Sequence, residues 1–429
     1  MEKKLSKIKK FFKILGPGVI TGAADDDPSG IATYTQTGSQ FGYNMLWTSL
    51  FILPFLTAVQ EACARIGAVT GKGLAAVIKE NYNKKILYAV VLLVVVANTI
   101  NIGADIGAMA AAAQLLLPIN FVILTISFTV LILILEIFTS YKVYSKILKW
   151  LALSLLSYPL TVFLVNQPWL KILEATLTPE IEWNFAFFFL ITGVLGTTIS
   201  PYMFFWEASE EVEEEKANHM LLKNHRPKIN KKFIKKIRLD NLIGMFFSNF
   251  AAWSIIIVGA TVLHNNGITD VATAADAAKA LEPLVKTFPN AGFLAKLIFA
   301  VGIIGLGLLA VPVLSGSAAY AVSEAFNMKE GLNLKLKRAH GFYGVITIAT
   351  LIGLIINFVG INPIKALVFT AVFNGVASVP LLFIIASIAQ NKKIMGKYRS
   401  GKISQTLVWI TFGIMSASAL VMFYTMTQN

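Results

Sequence analysis

Three consecutive carboxylates, Asp25, Asp26 and Asp27, stand directly before Pro28 in the segment Gly22-Ala23-Ala24-Asp25-Asp26-Asp27-Pro28-Ser29-Gly30. Apolar sequence flanks this segment on both sides, which puts it in the middle of the first expected membrane span. A single aspartate at bilayer centre costs about 2.5 to 3.5 kcal/mol on insertion scales, so three are tolerated only where they face protein or water. Pro28 lacks an N–H and clashes with the preceding turn, and Gly22 and Gly30 add backbone freedom, so the helix is expected to break here. A break leaves carbonyls, such as that of Ala24, beside the carboxylates. This is an oxygen-rich cation site of the kind secondary transporters build from discontinuous helices. An acidic surface loop is the competing reading, and the flanking apolar sequence weighs against it.

A second break is expected at Gly196-Thr197-Thr198-Ile199-Ser200-Pro201-Tyr202, where Pro201 removes a donor in mid-span. Ile199, Ser200, Tyr202 and Met203 thereby become candidate site residues. A third polar feature is the line Asn98, Asn101 and Asp105, spaced i, i+3, i+7 on one helix face. It is either a structural hydrogen-bond network or the lining of a cation path. Asn374 and Glu207 are further candidates for the same cavity, with Glu207 also placed to sit at the membrane interface. The donors are carboxylate, hydroxyl, amide and backbone oxygens, which suit Mg²⁺, Ca²⁺ and Mn²⁺ better than later transition metals. All four histidines, His219, His225, His264 and His340, lie outside the expected spans. Mg²⁺ parts with its waters reluctantly, so a site for it is expected to be roomy and to hold a largely hydrated ion.

The elements that must position these residues are membrane helices. The chain is 56% hydrophobic and 14% charged, against about 25% charged in soluble domains. Apolar runs predict eleven spans, at about 13–41 (broken), 45–66, 86–117, 120–139, 144–165, 184–209 (broken), 239–263, 291–325, 341–359, 363–389 and 404–425. With the N-terminus cytoplasmic, 32 of the 37 lysines and arginines fall in or beside the inside segments. The positive-inside rule then predicts a cytoplasmic N-terminus and an extracytoplasmic C-terminus in the plasma (inner) membrane. The +14 net charge is read as orientation and lipid contact, not nucleic-acid binding. The single Cys63 excludes an intrachain disulfide and a thiolate cage.

The two broken spans are five apart. That spacing predicts an inverted repeat: a cytoplasmic N-terminus (1–12), a first five-helix repeat (13–165), an extracellular loop (166–183), a second repeat (184–389), then a cytoplasmic loop and an eleventh helix (390–429). The acidic run Glu210, Glu211, Glu213, Glu214 and Glu215 is expected to be a solvated helix extension, followed by a basic strip on the membrane surface. An Ala-rich stretch, Val271 to Val285, is expected as a surface helix. No nucleophile–base set, metal-ligand histidine pair or phosphate loop falls within the spans, so no enzyme is expected, nor a resident cofactor.

Residues Gln60-Glu61-Ala62-Cys63-Ala64-Arg65-Ile66-Gly67-Ala68-Val69-Thr70-Gly71-Lys72-Gly73-Leu74-Ala75 are similar to the signature that follows the second helix in the NRAMP superfamily of divalent-metal transporters, and the chain resembles that family over nearly its whole length. Asp27-Pro28-Ser29-Gly30 occupies the place of the family's Asp-Pro-Gly-Asn motif. Asp27 thus falls on its metal-binding aspartate, and Gly30 replaces the ligand asparagine. Ser200-Pro201-Tyr202 stands where the family carries Met-Pro-His, so the soft thioether and the histidine linked to proton transfer are both gone. These departures resemble the NRAMP-related magnesium transporter branch, as do Ile199–Glu215, Ser323–Val345 and Asn374–Arg399. The resemblance implies the inverted-repeat fold of the sodium symporters. It also implies uptake of Mg²⁺, with Mn²⁺ tolerated and no proton coupling; the only implied partners are the cation and the lipid bilayer. A proton-coupled Mn²⁺/Fe²⁺ importer is the alternative. A sodium-coupled amino-acid carrier and a non-transporting metal sensor are weaker: three aspartates repel a carboxylate ligand, and no domain is present to read a signal.

Overall fold

The computed structural model describes residues 21–22, 24–139, 156–217, 219–220 and 227–428. The expected N-terminal segment, residues 13–20 and 23 of span one, and residues 144–155 of span five lie outside these. The described helices are α1 (Pro28–Phe41), α2 (Trp47–Thr70), α3 (Leu74–Asn81), α4 (Lys84–Gln114), α5 (Phe121–Phe138), α6 (Ser157–Leu164), α7 (Trp169–Leu177), α8 (Phe185–Thr198) and α9 (Pro201–Ala217). They continue with α10 (Lys231–Val258), α11 (Ala274–Lys279), α12 (Glu282–Val285), α13 (Ala291–Phe326), α14 (His340–Ile356), α15 (Pro363–Gln390), α16 (Lys392–Met395) and α17 (Lys402–Met426). Among the described residues eight helices are long and apolar enough to cross a membrane, with α8 and α9 counted as one interrupted span. The other three expected spans coincide with the shorter apolar α14 and with two segments described in part, ending in α1 and α6.

Helix starts follow local chemistry. Asn83, Asn120, Asn184, Asn230 and Asn362 each cap a long helix, the side-chain oxygen accepting a backbone N–H one turn in. Asn120, Asn184 and Asn362 sit where an apolar run begins, whereas Asn230 precedes a basic stretch, so α10 starts eight residues before the expected span. Small residues set the close contacts. A Cβ on Gly375 would collide with the Thr192 carbonyl, so α8 and α15 approach backbone to backbone. The centre is built by α4 packing along α13 and α15, with α1 seated against α8, α10 and α15.

Two expectations change here. The Ala-rich stretch is not one surface helix but two short ones, α11 and α12, because Pro283 starts the second and fits only at a helix beginning. The acidic run is not solvated either: Glu207, Glu210, Glu211, Glu213 and Glu215 are all buried. α9 carries them inward because it packs against α2, α13 and α3.

Candidate functional site

Both expected breaks are present. Residues 24–25 are helical, 26–27 are not, and α1 restarts at Pro28. Asp27 is extended, with φ −67° and ψ 171°, and caps α1: its Oδ1 accepts from the Gly30 N–H at 2.7 Å and from the Ser29 hydroxyl at 2.7 Å. Proline fits at the first position of α1, where its missing N–H costs nothing. In the second break α8 ends at Thr198, Ile199 and Ser200 are non-helical, and Pro201 opens α9. Tyr34 of α1 and Thr198 of α8 share a hydroxyl–hydroxyl bond of 2.7 Å that ties the two broken spans together.

The carboxylates are deeply enclosed: Asp25, Asp26, Asp27 and Asp105 are each 2% exposed or less. Their partners are all neutral. Asn101 of α4 donates to Asp27 Oδ2 at 2.9 Å, and Ser248 of α10 reaches Asp25 at 2.6 Å and Asp26 at 3.3 Å. A carboxylate offers about four lone-pair sites. Asp27 has three in use, so one at Oδ2 stays open. Asp25 Oδ1, both oxygens of Asp105, and the amide oxygens of Asn98 and Asn101 have no hydrogen-bond partner. These orphaned acceptors, buried and in part charged, require a cation, a proton or water. Asp25, Asp27 and Asp105 all lie within electrostatic range of the Tyr202 hydroxyl. No three of these side chains close on an ion directly among the described residues. A strongly hydrated ion held by one or two carboxylates suits that spacing.

Several expected ligands are engaged elsewhere. The Ala24 carbonyl is not left bare, because the Tyr202 hydroxyl donates to it at 3.0 Å. The Ile199 carbonyl accepts from Ser378 at 2.7 Å, and the Ser200 hydroxyl turns back on its own helix, onto Gly196 and Thr197. Gly30 contributes its N–H to Asp27, and a Cβ there would sit 3.2 Å from the Thr197 hydroxyl. Met203 is buried in the apolar core. Asn374 presents an unpartnered amide N–H, a donor, which suits a water of hydration and not the ion itself. Glu207 accepts from Thr21 and Asn241, and so belongs to the α10 contact. Ser248 was missed; its signal was a polar pair, Ser248-Asn249, inside an apolar span. Glu136 was missed too. It is buried in α5 and accepts from Ser315 of α13.

A cavity of about 780 Å³ opens between α1, α4, α8 and α15, lined in part by Gln36, Phe189, Asp270 and Thr370. Ile100, Gly103 and Ala104 also line it. They flank Asn101 and Asp105 in sequence, so α4 faces this vestibule with one stripe and the carboxylates with another.

The model of the family described as natural resistance-associated macrophage protein-like matches residues 18–425. The divalent metal cation transporter MntH of Caldanaerobacter subterraneus is 26% identical over 435 residues, covering 98% of this chain and 95% of that protein. The structure of the Eremococcus coleocola manganese transporter superposes with a TM-score of 0.75 at 16% identity, covering 96% of this chain and 87% of that one. Mhp1, a nucleobase-cation-symport-1 family transporter in a closed conformation, superposes with a TM-score of 0.58 at 12% identity, covering 97% and 92%. These likenesses give a sodium-symporter (LeuT-like) membrane fold.

Proposed function

The chain belongs to the natural resistance-associated macrophage protein-like (Nramp) family of divalent-metal transporters, and from that premise we propose that it carries hydrated Mg²⁺, with Mn²⁺ tolerated, by alternating access without proton coupling. It is a transporter and not an enzyme. The observation that carries the reading is the donor set. The buried side-chain oxygens near the break without a hydrogen-bond partner are Asp25 Oδ1, both Asp105 oxygens, Asn98 Oδ1 and Asn101 Oδ1. Tyrosine stands at position 202 with its hydroxyl on the Ala24 carbonyl. Hard oxygens hold Mg²⁺ well and give softer metals no added preference.

In this reading Asp27 contacts the ion or its inner waters through Oδ2, and Asp25, Asp26 and Asp105 supply the field. The Ala24 and Ile199 carbonyls each keep one lone pair for water. Eleven spans form a five-plus-five inverted repeat with an appended helix. The bundle carrying the two breaks rocks against the remaining helices. The lysine-rich segments lie in the cytoplasm, and the C-terminus lies outside the plasma membrane.

A second reading, a proton-coupled Mn²⁺ importer of the ordinary family type, is favoured by the relatives. They are named for MntH and for manganese transport. One experiment separates the two. Proteoliposomes holding the full chain are loaded with a Mg²⁺ dye, and a parallel sample with a pH dye. Saturable Mg²⁺ entry without acidification supports the first reading. Mn²⁺ entry with acidification, and no Mg²⁺ entry, overturns it in favour of the second.

A further inference from the structure

Two segments far apart in sequence bring their cations to one joint at the end of the helix bundle. Five exposed cations, Lys228, Lys231, Lys232, Lys235 and Arg238, precede or open α10. Five more, Lys392, Lys393, Lys397, Arg399 and Lys402, run from α16 to the start of α17. The segments meet through Tyr398. Its hydroxyl donates to the Ile229 carbonyl at 3.1 Å, and its own carbonyl accepts from Arg65 of α2 at 3.1 Å. Tyr398 also packs with Ile229 and Phe233 against buried Ala64, Ala68, Ile234 and Ile237. α10, α16 and α17 all rest on α2.

The joint has no internal counter-charge. No acidic residue occurs in 227–239 or 391–410, and none of the ten cations is in an ion pair among the described residues. Arg65 is already paired with Glu61. Cations gathered this way repel one another and attract anions. The faces of the same helices say which kind of anion. Lys232, Lys235, Leu239, Leu242 and Phe246 follow at i, i+3, i+7, i+10 and i+14, one exposed face of α10. That face turns from cationic to apolar between Lys235 and Leu239. α17 repeats the pattern, Lys402 being followed by exposed Ile403, Ile410 and Ile414. In a membrane such faces lay their apolar part among acyl chains and their cations at headgroup level.

We propose that the joint of α10, α16 and α17 is a docking surface for anionic phospholipid, with Lys232, Lys235, Lys397 and Arg399 on the phosphate and Leu239, Leu242 and Ile403 against the acyl chains. Basic segments directly beside membrane spans collect acidic headgroups. The guanidinium of Arg399 offers a planar fork that matches phosphate. Lys397 lies over the Tyr398 ring, 5.2 Å from its centre, which fits an amphipathic ring at the headgroup level. In the orientation proposed above the leaflet is the cytoplasmic one; the surface itself requires only that the chain spans a membrane.

Native mass spectrometry of the full-length protein in detergent, titrated with phosphatidylglycerol or phosphatidylcholine, tests it. Three proteins are compared. They are wild type, a joint variant (Lys232→Gln/Lys235→Gln/Lys397→Gln/Arg399→Gln) and a control that removes equal charge elsewhere (Lys84→Gln/Lys85→Gln/Lys335→Gln/Lys337→Gln). Wild type is expected to prefer phosphatidylglycerol, the joint variant to bind it about tenfold more weakly, and the control to bind it as wild type does. Equal losses in the two variants overturn the proposal, because net charge and not this joint then attracts the lipid. A wild type without preference for phosphatidylglycerol overturns it too. Equal binding of glycerol 3-phosphate or soluble polyglutamate overturns it in favour of a soluble partner. Where the joint variant does not stay monodisperse, Lys397→Gln/Arg399→Gln is expected to weaken binding about threefold, and unchanged affinity overturns the proposal.

Discussion

At the first helix break Asp25, Asp26 and Asp27 meet only hydroxyl and amide donors, from Ser29, Ser248, Asn101 and the Gly30 backbone. Along α9 the carboxylates meet lysines as well: Glu213 pairs with Lys216, and Glu214 with Lys236. Every ion pair among the described residues lies away from the break. The difference is physical. A resident lysine would neutralise the central carboxylates permanently and compete with a cationic cargo. Neutral donors hold the same carboxylates in place and leave their charge for an ion that comes and goes. Along α9 fixed pairs do structural work.

The largest test of this contrast separates charge from capping at Asp27. Asparagine caps a helix as well as aspartate, whereas alanine costs about 1 kcal/mol of stability. Asp27→Asn is expected to abolish saturable ion uptake with little change in melting temperature, and Asp27→Ala to abolish uptake and also lower the melting temperature. Normal uptake by Asp27→Asn would remove the central role given to its charge. Next comes Asp105→Asn, which keeps the shape and removes a charge that no protein donor touches. The apparent KM for the cation is expected to rise about tenfold, ~1.4 kcal/mol, in the same flux assay. An unchanged KM would show that the α4 line is structural.

Smaller again is Tyr202→Phe, which frees the Ala24 carbonyl by deleting one neutral hydrogen bond. Such a bond is worth about 1 kcal/mol. A change in the Mg²⁺-to-Mn²⁺ uptake ratio of about fivefold is expected, and a constant ratio would confine Tyr202 to packing. The smallest effect belongs to the peripheral set. Burial, with Glu324 nearby, pushes the Glu330 carboxyl up to about 9, against the opposing pull of Lys216. The folded chain then keeps a proton that the unfolded chain loses at about pH 4.3, so stability falls as pH rises between the two values. Glu330→Gln is expected to melt about 1–2 °C above wild type at pH 8 and level with it at pH 4. Equal melting at both values would show that this loop carboxyl is ordinary.

Much of the architecture was readable because membrane helices announce themselves. Eight expected spans coincide with long apolar helices, and both breaks fall at Pro28 and Pro201 as proline sterics require. The line Asn98, Asn101 and Asp105 was legible because helical periodicity fixes a shared face. Less was readable about what each group is bound to. Ser200 looked like a ligand and bonds its own backbone, while Ser248, unnoticed in α10, holds two of the three aspartates. The acidic run of α9 looked solvated and is buried, because its environment is set by α2, α3 and α13, far away in sequence.

The sequence by itself determined the solvent class, the helix breaks and the hard-oxygen character of the candidate site. These follow from hydropathy, proline geometry and side-chain chemistry, all local properties. Only the tertiary structure decided which acceptors are spent and which are open, because beside the local bonds to Asp27 from Ser29 and Gly30 the deciding hydrogen bonds join residues from different helices. Asp27 meets Asn101, Ala24 meets Tyr202, and Ile199 meets Ser378 across 74, 178 and 179 positions of chain. Lone pairs left over after that pairing, and not the carboxylate count, mark where a cation can bind.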